Sequence, residues 1–221
     1  MPLPQTTNGS LIVEDATEAV GGMAGGRRVG SLGRAAVMGL GAWPFDRSRG
    51  ALIATNDPDL AARLRPAGDV VLIAPQSSAA GTGAVGAWGA LETDAAVLED
   101  RIDACRAAAG VYDSAFRPLG LPMTVVKPCV DTSPTYSTYL VQTHDPDALI
   151  DALARKGVEA RRPVHVRLAN ALADPQTAWP GAKAFYSRAV ALPCHPDLGL
   201  EELLYVADAV RLHLQGLPAR P

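Results

Sequence analysis

The chain has 221 residues and a net charge of −3 at pH 7, with 48% hydrophobic and 19% charged residues. This composition is typical of a globular protein with a substantial core, and it gives no reason to expect nucleic acid or an anionic membrane as a partner. No apolar run is long enough to cross a bilayer, and the N-terminus lacks the regions of a signal peptide. The cysteines are three and widely spaced, which argues against a secreted disulfide scaffold. We therefore expect a cytoplasmic protein.

The first third of the chain predicts buried strands and a short helix. Asp57 and Pro58 have the form of an N-cap and a first-turn proline, and they open a helical pattern that continues to Leu64. The predicted strands are the short apolar runs at residues 11–14, 35–38, 51–55 and 70–74.

The remainder alternates long helical patterns with one strand-rich segment. An apolar stripe predicts a long helix over about 83–110, and alternation within 121–144 favours strands. A helix begins after Asp145 and closes at Gly157, and a last amphipathic helix covers about 199–214.

This order of elements predicts an α/β protein in three parts. Residues 1–82 form an incomplete α/β layer, residues 83–112 a long connecting helix, and residues 113–221 a small α+β domain.

Generic motifs carry little chemistry. Residues 81–86 match the dinucleotide pattern G-x-G-x-x-G, but residues 75–80 separate them from the preceding strand and no second strand follows, so we interpret the match as accidental. The four histidines have no metal-ligand spacing, and we predict no metal site. Asp15, at the end of a buried strand, is the best single candidate for function; its alternative role is to cap a turn.

Several segments, in order, resemble one family. Residues 11–21 (L-I-V-E-D-A-T-E-A-V-G) are similar to a strand ending in E-D-A-A-Q-A-x-G, and residues 26–33 (G-R-R-V-G-S-L-G) to the loop G-x-x-V-G-S-x-G. Residues 51–61 resemble G-G-x-V-V-T-N-D-P-E-L-A, residues 164–165 resemble a P-x-H segment, and residues 192–206 resemble the closing L-P-x-x-P-x-L and final helix. Together they resemble the C-terminal half of the DegT/DnrJ/EryC1/StrS sugar aminotransferases.

The resemblance implies part of a fold-type-I aminotransferase large domain followed by a small α+β domain. It implies that strands 11–14, 35–38 and 51–55 are neighbours, with two exposed edges. It also places Asp15 where the family's aspartate meets the pyridine nitrogen of pyridoxal phosphate (PLP), and Glu18 where a glutamine lies near the phenolic oxygen. A carboxylate at that second position would repel the oxygen.

Other cofactor contacts of the family have no counterpart. Gly39 replaces the serine of S-F-H-P-T-K, and the Schiff-base lysine falls at Trp43 or Pro44, neither of which can form an imine. Residues 77–86 replace the phosphate-binding N-Y-R-M segment, and the family's first half is absent from this sequence. We therefore expect no cofactor and no PLP-dependent transamination.

Two functional hypotheses follow, beside a third reading as a decayed fragment with no selected role, against which the regular caps and the intact C-terminal pattern argue. The first is a non-catalytic protein that binds a full-length aminotransferase or another enzyme of amino-sugar, aminocyclitol or antibiotic biosynthesis, or that forms a homodimer. The second is a PLP-independent enzyme acting on a sugar or related small molecule, with Asp15, Glu18 and His165 as acid–base candidates.

Overall fold

The structure is a computed structural model that describes residues 10–39, 51–64, 70–73, 85–117, 120–163 and 180–216. Ten strands and five helices lie in these ranges. The strands are β1 (Val13–Asp15), β2 (Met23–Ala24), β3 (Arg27–Arg28), β4 (Ala35–Gly39), β5 (Ala51–Thr55), β6 (Val70–Ile73), β7 (Met123–Val125), β8 (Thr132–Ser133), β9 (Tyr139–Thr143) and β10 (Ala189–Leu192). The helices are α1 (Pro58–Leu64), α2 (Val85–Phe116), α3 (Pro146–Ala154), α4 (Pro180–Tyr186) and α5 (Leu200–Gly216).

The chain divides into two compact units. The first contains residues 1–106 and 128–137, and the second contains residues 107–127 and 138–221. The predicted three-part domain division at residues 1–82, 83–112 and 113–221 stays a prediction.

The main sheet of the first unit has the strand order β1-β4-β5-β6. Strands β1 and β4 are parallel, β4 and β5 are antiparallel, and β5 and β6 are parallel. The predicted adjacency of the first three strands is confirmed. The expectation that the third strand is an exposed edge is wrong, because residues 70–73 pair with it along residues 51–54.

Helix α1 begins where the sequence predicts. The Asp57 carboxylate accepts hydrogen bonds from the amides of Asp59 and Leu60, at 3.0 and 2.9 Å, and so caps the first turn. The same carboxylate pairs with the guanidinium of Arg34, which precedes β4. The cap thus ties α1 to the start of the neighbouring strand.

Helix α2 extends six residues beyond the predicted end near residue 110. The buried side chains Ile102, Cys105, Ala109, Tyr112 and Phe116 continue one stripe at helical spacing. The pattern after residue 110 supports the helix because two large aromatic residues take up the same face.

The second unit contains the antiparallel sheet β10-β9-β7 and the helices α3, α4 and α5. Tyr112, Phe116 and Tyr139 pack as an aromatic cluster with ring centroids 4.9–6.2 Å apart. The strands predicted within residues 121–144 are confirmed, whereas the status of residues 113–221 as a separate small domain stays a prediction.

Candidate functional site

The carboxyl ends of β1 and β4 lie at the same edge of the main sheet. The two strands are parallel, with Asp15 opposite Val37, so Asp15 and Gly39 both lie near this edge. Strand β5 runs the other way and pairs its first residue, Ala51, with Gly39. This arrangement gathers the residues that the sequence singles out around the end of β1.

Asp15 is an exposed carboxylate that shapes the turn after β1. Its Oδ1 accepts a 3.1 Å hydrogen bond from the amide of Thr17. Hydrogen bonding by the Thr17 hydroxyl, and secondarily by the Thr17 amide, lowers the pKa of the Asp15 carboxyl below its ordinary value of 3.8. The side chain is therefore a stable anion near neutral pH, and it does cap a turn.

Gly39 leaves little room for a side chain at the end of β4. A Cβ atom built on Gly39 would lie 3.1 Å from Cγ2 of Thr17, which is closer than ordinary van der Waals contact. A serine hydroxyl at this position, as in the family's phosphate-binding motif, would require Thr17 to move. Thr17 thus donates a hydrogen bond to Asp15 and fills the space that a side chain at position 39 would enter.

Glu18 adopts a left-handed backbone conformation with φ of 62°. Its carbonyl oxygen accepts a 3.1 Å hydrogen bond from the hydroxyl of Thr135, a residue that is 3% exposed. The Glu18 side chain is exposed. A left-handed conformation is unfavourable for residues with a Cβ, so this buried threonine helps to hold the turn in place.

Glu14, which sequence reasoning passed over, organises the loop after β3. Its Oε2 accepts a hydrogen bond from the Gly30 amide at 2.8 Å, and its Oε1 accepts from the amides of Leu32 and of Gly33, the latter at 2.6 Å. Three backbone N–H groups converging on one carboxylate form an anion-binding nest. The glycines of residues 26–33 were the available sequence signal, because such a loop needs unusual backbone angles.

The glycines of this loop have identifiable roles. Gly30 has φ of +93°, which a residue with a side chain rarely adopts. A Cβ atom on Gly33 would lie 2.6 Å from the Ile12 carbonyl oxygen, which is too close for any side chain. The loop can therefore press against β1 only with glycine at these positions.

Residues 128–137 hold the opposite side of the turn. Strand β8 pairs with β2, and the carbonyl of Asp131 accepts a hydrogen bond from the Gly25 amide at 2.8 Å. The half-buried guanidinium of Arg106 donates to the carbonyls of Pro134 and Gly21, at 3.2 and 3.4 Å. These contacts bind the loop after Glu18 to helix α2 and to a distant segment of the chain.

The other residues singled out in the sequence, Trp43, Pro44 and His165, lie outside the described residues, as do Gly81 and Gly83. The lysines of the sequence are all exposed and all belong to the second unit: Lys127, Lys156 and Lys183. The roles assigned to Asp15, Glu18 and His165 stay predictions.

Among the described residues, no group of three or more histidine, cysteine, aspartate or glutamate side chains is placed to hold a metal ion. None of the described helices combines the length and the apolarity needed to cross a membrane.

The fold is that of a fold-type-I aminotransferase, as comparison with solved structures shows. Aminotransferase TlmJ from Streptoalloteichus hindustanus superposes with a TM-score of 0.77 at 22% identity, over 94% of this chain and 59% of its own. DesV from S. venezuelae, solved in complex with a ketimine intermediate, superposes with a TM-score of 0.75 at 25% identity, over 95% of this chain and 59% of its own.

Sequence comparison identifies the family within this fold. The profile of the DegT/DnrJ/EryC1/StrS aminotransferase family matches residues 5–211. A dTDP-3-amino-3,4,6-trideoxy-alpha-D-glucose transaminase from Streptomyces venezuelae is 32% identical over 224 aligned positions, which cover 92% of this chain and 56% of that enzyme. The chain belongs to the DegT/DnrJ/EryC1/StrS aminotransferase family. It spans a little over half the length of the sugar aminotransferase that it matches.

Proposed function

We propose that this chain is a non-catalytic aminotransferase-like protein that binds a partner enzyme of amino-sugar, aminocyclitol or antibiotic biosynthesis. One observation carries the proposal: the unit that contains Asp15 has no lysine at all, since every lysine of the sequence belongs to the second unit. PLP-dependent transamination needs a primary amine that forms an imine with the cofactor. The partner we favour is a full-length sugar aminotransferase.

The described residues do not fit PLP as a covalent cofactor. Asp15 is ionised and exposed at the end of β1, as a partner of a pyridinium nitrogen would be. Gly39, however, has no hydroxyl to offer a phosphate, and a side chain there would press on Thr17. Glu18 adds a carboxylate where the family has a neutral amide. Taken with the missing lysine, these features support loss of the chemistry, and we derive no catalytic step through PLP.

The fold around the former site is nevertheless well formed. The Glu14 carboxylate accepts hydrogen bonds from three backbone amides. The Thr135 hydroxyl donates to the Glu18 carbonyl, and Arg106 donates to two backbone carbonyls. The absence of these ligand-binding groups beside well-ordered hydrogen bonds supports a role in which the protein binds a partner without catalysing transamination.

The competing hypothesis, a PLP-independent enzyme, has less support. A general base works best when its pKa lies near the operating pH, since a group of much lower pKa accepts protons poorly. Hydrogen bonding by Thr17 shifts the pKa of Asp15 in the opposite direction. Asp15 is therefore better suited to holding a turn or an opposite charge than to abstracting a proton.

The first test concerns the cofactor. We expect the purified protein incubated with PLP to show no absorbance band of an internal aldimine, and no lysine to be labelled after borohydride reduction. The variants Trp43→Lys and Pro44→Lys should not restore transamination, because the phosphate contacts are missing as well. An aldimine band that borohydride traps on one specific lysine would refute the proposal.

The second test concerns the partner. A full-length DegT-family aminotransferase from the same genome is mixed with the chain, and complex formation is followed by analytical ultracentrifugation. We expect a complex, with the partner's turnover altered by the wild-type chain and equally by Asp15→Asn. If Asp15→Asn or His165→Ala, with folding verified by circular dichroism, abolished turnover that the wild type supplies on its own, the enzyme hypothesis would replace ours. A general acid or base contributes a factor of about 10²–10⁴, so that loss would be unmistakable.

A further inference from the structure

Thr17, on the turn after β1, departs from the family pattern together with Gly39. The motif E-D-A-A-Q-A-x-G has alanine at the position of Thr17, and the motif S-F-H-P-T-K has serine at the position of Gly39. Relative to that pattern, position 17 gains a methyl and a hydroxyl group, while position 39 loses a Cβ and a hydroxyl group. The two departures therefore exchange one carbon and one hydroxyl oxygen between two positions of the chain.

The structure places these two positions against each other. A Cβ atom built on Gly39 would lie 3.1 Å from Cγ2, 3.5 Å from Oγ1 and 3.9 Å from Cβ of Thr17. Among the described residues, the chain neighbours of Gly39 aside, these are the atoms nearest to that point. The Thr17 side chain thus occupies the space of a side chain at position 39. An exchange that conserves volume keeps a packed site filled, which is why it is tolerated.

The same residue engages the Asp15 carboxylate. Hydrogen bonding by the Thr17 hydroxyl lowers the pKa of the Asp15 carboxyl, and the Thr17 amide donates a 3.1 Å hydrogen bond to Asp15 Oδ1. Two donors of one residue are therefore directed at the carboxylate that aligns with the cofactor-binding aspartate of the family. Asp15 has an internal partner at the end of β1 without any ligand.

The Thr17 hydroxyl does not take over the role of the family's serine. A hydroxyl has a single donor hydrogen, and here that hydrogen is directed to Asp15. A phosphate group is anionic and needs donors, so at this hydroxyl it would meet the Asp15 carboxylate. Like charges in close contact disfavour each other. The move of the hydroxyl from position 39 to position 17 therefore removes a phosphate contact instead of relocating it.

We propose that Thr17 closes the carboxyl ends of β1 and β4 to the phosphate group of a pyridine cofactor. Its methyl group fills the side-chain space of position 39, and its hydroxyl is held by Asp15. This closure is independent of the residue at the lysine position, so restoring a lysine leaves it in place. The inference rests on the loss of PLP chemistry in the proposed function, and it adds a cause of that loss that lies within the described residues.

A double-mutant cycle on the chain alone tests the packing of Thr17 against position 39. Gly39→Ser puts a side chain against Thr17, so the midpoint of urea denaturation should fall. In a Thr17→Ala background the space is open, and Gly39→Ser should then leave the midpoint unchanged or raise it. Gly110→Ser is the matched control, because a Cβ atom on Gly110 meets no atom within 4 Å. Its effect should be the same in both backgrounds, as expected of independent sites.

A binding measurement tests the closure to phosphate. Pyridoxamine phosphate and pyridoxamine differ only in the phosphate group, and neither needs a lysine because both carry an amine in place of the aldehyde. In equilibrium dialysis the wild type should show no preference for the phosphorylated compound. The double variant Thr17→Ala/Gly39→Ser should prefer it by about tenfold, the factor expected of one hydrogen bond to a charged group. Thr17→Ala alone opens the space without adding a donor and should show no preference.

Three results would overturn the inference. One is an equal change of the denaturation midpoint for Gly39→Ser in the two backgrounds. Another is a wild type that prefers pyridoxamine phosphate, since the Thr17 hydroxyl would then have replaced the serine. The third is a double variant, shown to be folded by circular dichroism, without any preference. The proposed function fails on other evidence, namely PLP trapped on a lysine of the wild type or no complex with the full-length aminotransferase, so the two proposals fail separately.

Discussion

The hydroxyl of Thr135 donates a 3.1 Å hydrogen bond to the carbonyl of Glu18, although 117 positions separate the two residues. Glu18 is in a left-handed conformation, and Thr135 is buried. The turn that follows the candidate Asp15 is therefore held by a residue that no local sequence pattern connects to it. The first prediction tests this dependence.

Replacing Thr135 by valine keeps the shape of the side chain and removes its hydrogen bond to Glu18. The part-buried Glu18 carbonyl loses its donor, so we expect the free energy of unfolding to fall by about 1 kcal/mol. Urea denaturation measures the change. Thr132→Val is the control, because the Thr132 hydroxyl makes a local hydrogen bond to the Cys129 carbonyl in an exposed position, and it should change stability much less. Equal losses in the two variants would show that the Thr135 contact is unimportant.

Glu14→Gln should loosen the loop that contains Gly30, Leu32 and Gly33. The amide group keeps only one acceptor oxygen, so at least one of the three backbone N–H groups loses its partner. We expect the free energy of unfolding to fall by about 2 kcal/mol, because hydrogen bonds to a charged group are stronger than average. Hydrogen exchange should accelerate at these three amides.

The matched control for this change is Glu99→Gln, which removes a carboxylate that is paired with Arg28 while both side chains are more than half exposed. Exposed pairs contribute little, so stability should change by less than about 1 kcal/mol. Unchanged exchange rates at Gly30 and Gly33 in Glu14→Gln would contradict the role of the nest.

Asp57 should make the stability of the protein fall at acid pH. Hydrogen bonding from the Leu60 amide, followed by that from Arg34, holds the pKa of the Asp57 carboxyl below its ordinary value of 3.8. Because the folded-state pKa is the lower one, the contribution is present above the unfolded pKa and is lost as the pH falls below about 3.8 toward the folded value. Asp57→Asn retains an N-cap side chain and should flatten this part of the curve of unfolding free energy against pH. An acid limb as steep as that of the wild type would contradict the assignment.

Tyr112 should resist ionisation in the folded protein. Burial, and secondarily the nearby Cys194, raises the pKa of the Tyr112 phenol well above its ordinary value of 10.0. Because the folded-state pKa is the higher one, the contribution of the neutral phenol to the free energy of unfolding is fully present below pH 10. It is lost as the pH rises above that value. Titration of tyrosine absorbance should show phenol ionisation that occurs only as the protein unfolds, and Tyr112→Phe should reduce its amplitude by one tyrosine.

Tyr112→Phe has a second expected effect. The phenol donates a 2.9 Å hydrogen bond to the Pro193 carbonyl. We therefore expect the free energy of unfolding of the variant to be about 1 kcal/mol lower at neutral pH. Tyr205→Phe is the comparison, because the Tyr205 hydroxyl donates to the Lys156 carbonyl from a side chain that is 52% exposed. Tyr205→Phe should leave the free energy of unfolding nearly unchanged, and it should not alter the tyrosine titration at high pH.

Local patterns were sufficient for most elements of the fold. Apolar runs predicted strands β1, β4, β5 and β6, and the Asp57-Pro58 and Asp145-Pro146 pairs marked the starts of α1 and α3. These signals work because capping and strand formation depend on a few consecutive residues. The burial predicted for residues 11–14 is wrong, since Leu11 and Val13 are exposed and burial depends on what the fold places beside a strand. The same local logic placed Asp15 at the end of β1.

Contacts between distant segments could not be predicted in this way. Strand β6 covers β5, Glu14 binds amides 16 to 19 positions away, and Arg106 joins Gly21 to Pro134. Each contact depends on the tertiary fold, which brings together segments far apart in the sequence. Such contacts produce no periodic pattern in the local sequence.

The sequence by itself determined the family, the absence of lysine from residues 1–126, and the positions of Gly39 and Asp15, because each depends on residue identity. Only the tertiary structure decided that Glu14 fills the glycine loop, that Thr135 holds the Glu18 turn, and that Leu11 and Val13 are exposed beside an edge unpaired within the described residues. The physical reason is that hydrogen-bond satisfaction and burial are properties of the folded surroundings. A carboxylate caps a helix at Asp57 and binds loop amides at Glu14, and the neighbouring backbone groups decide which of the two it does.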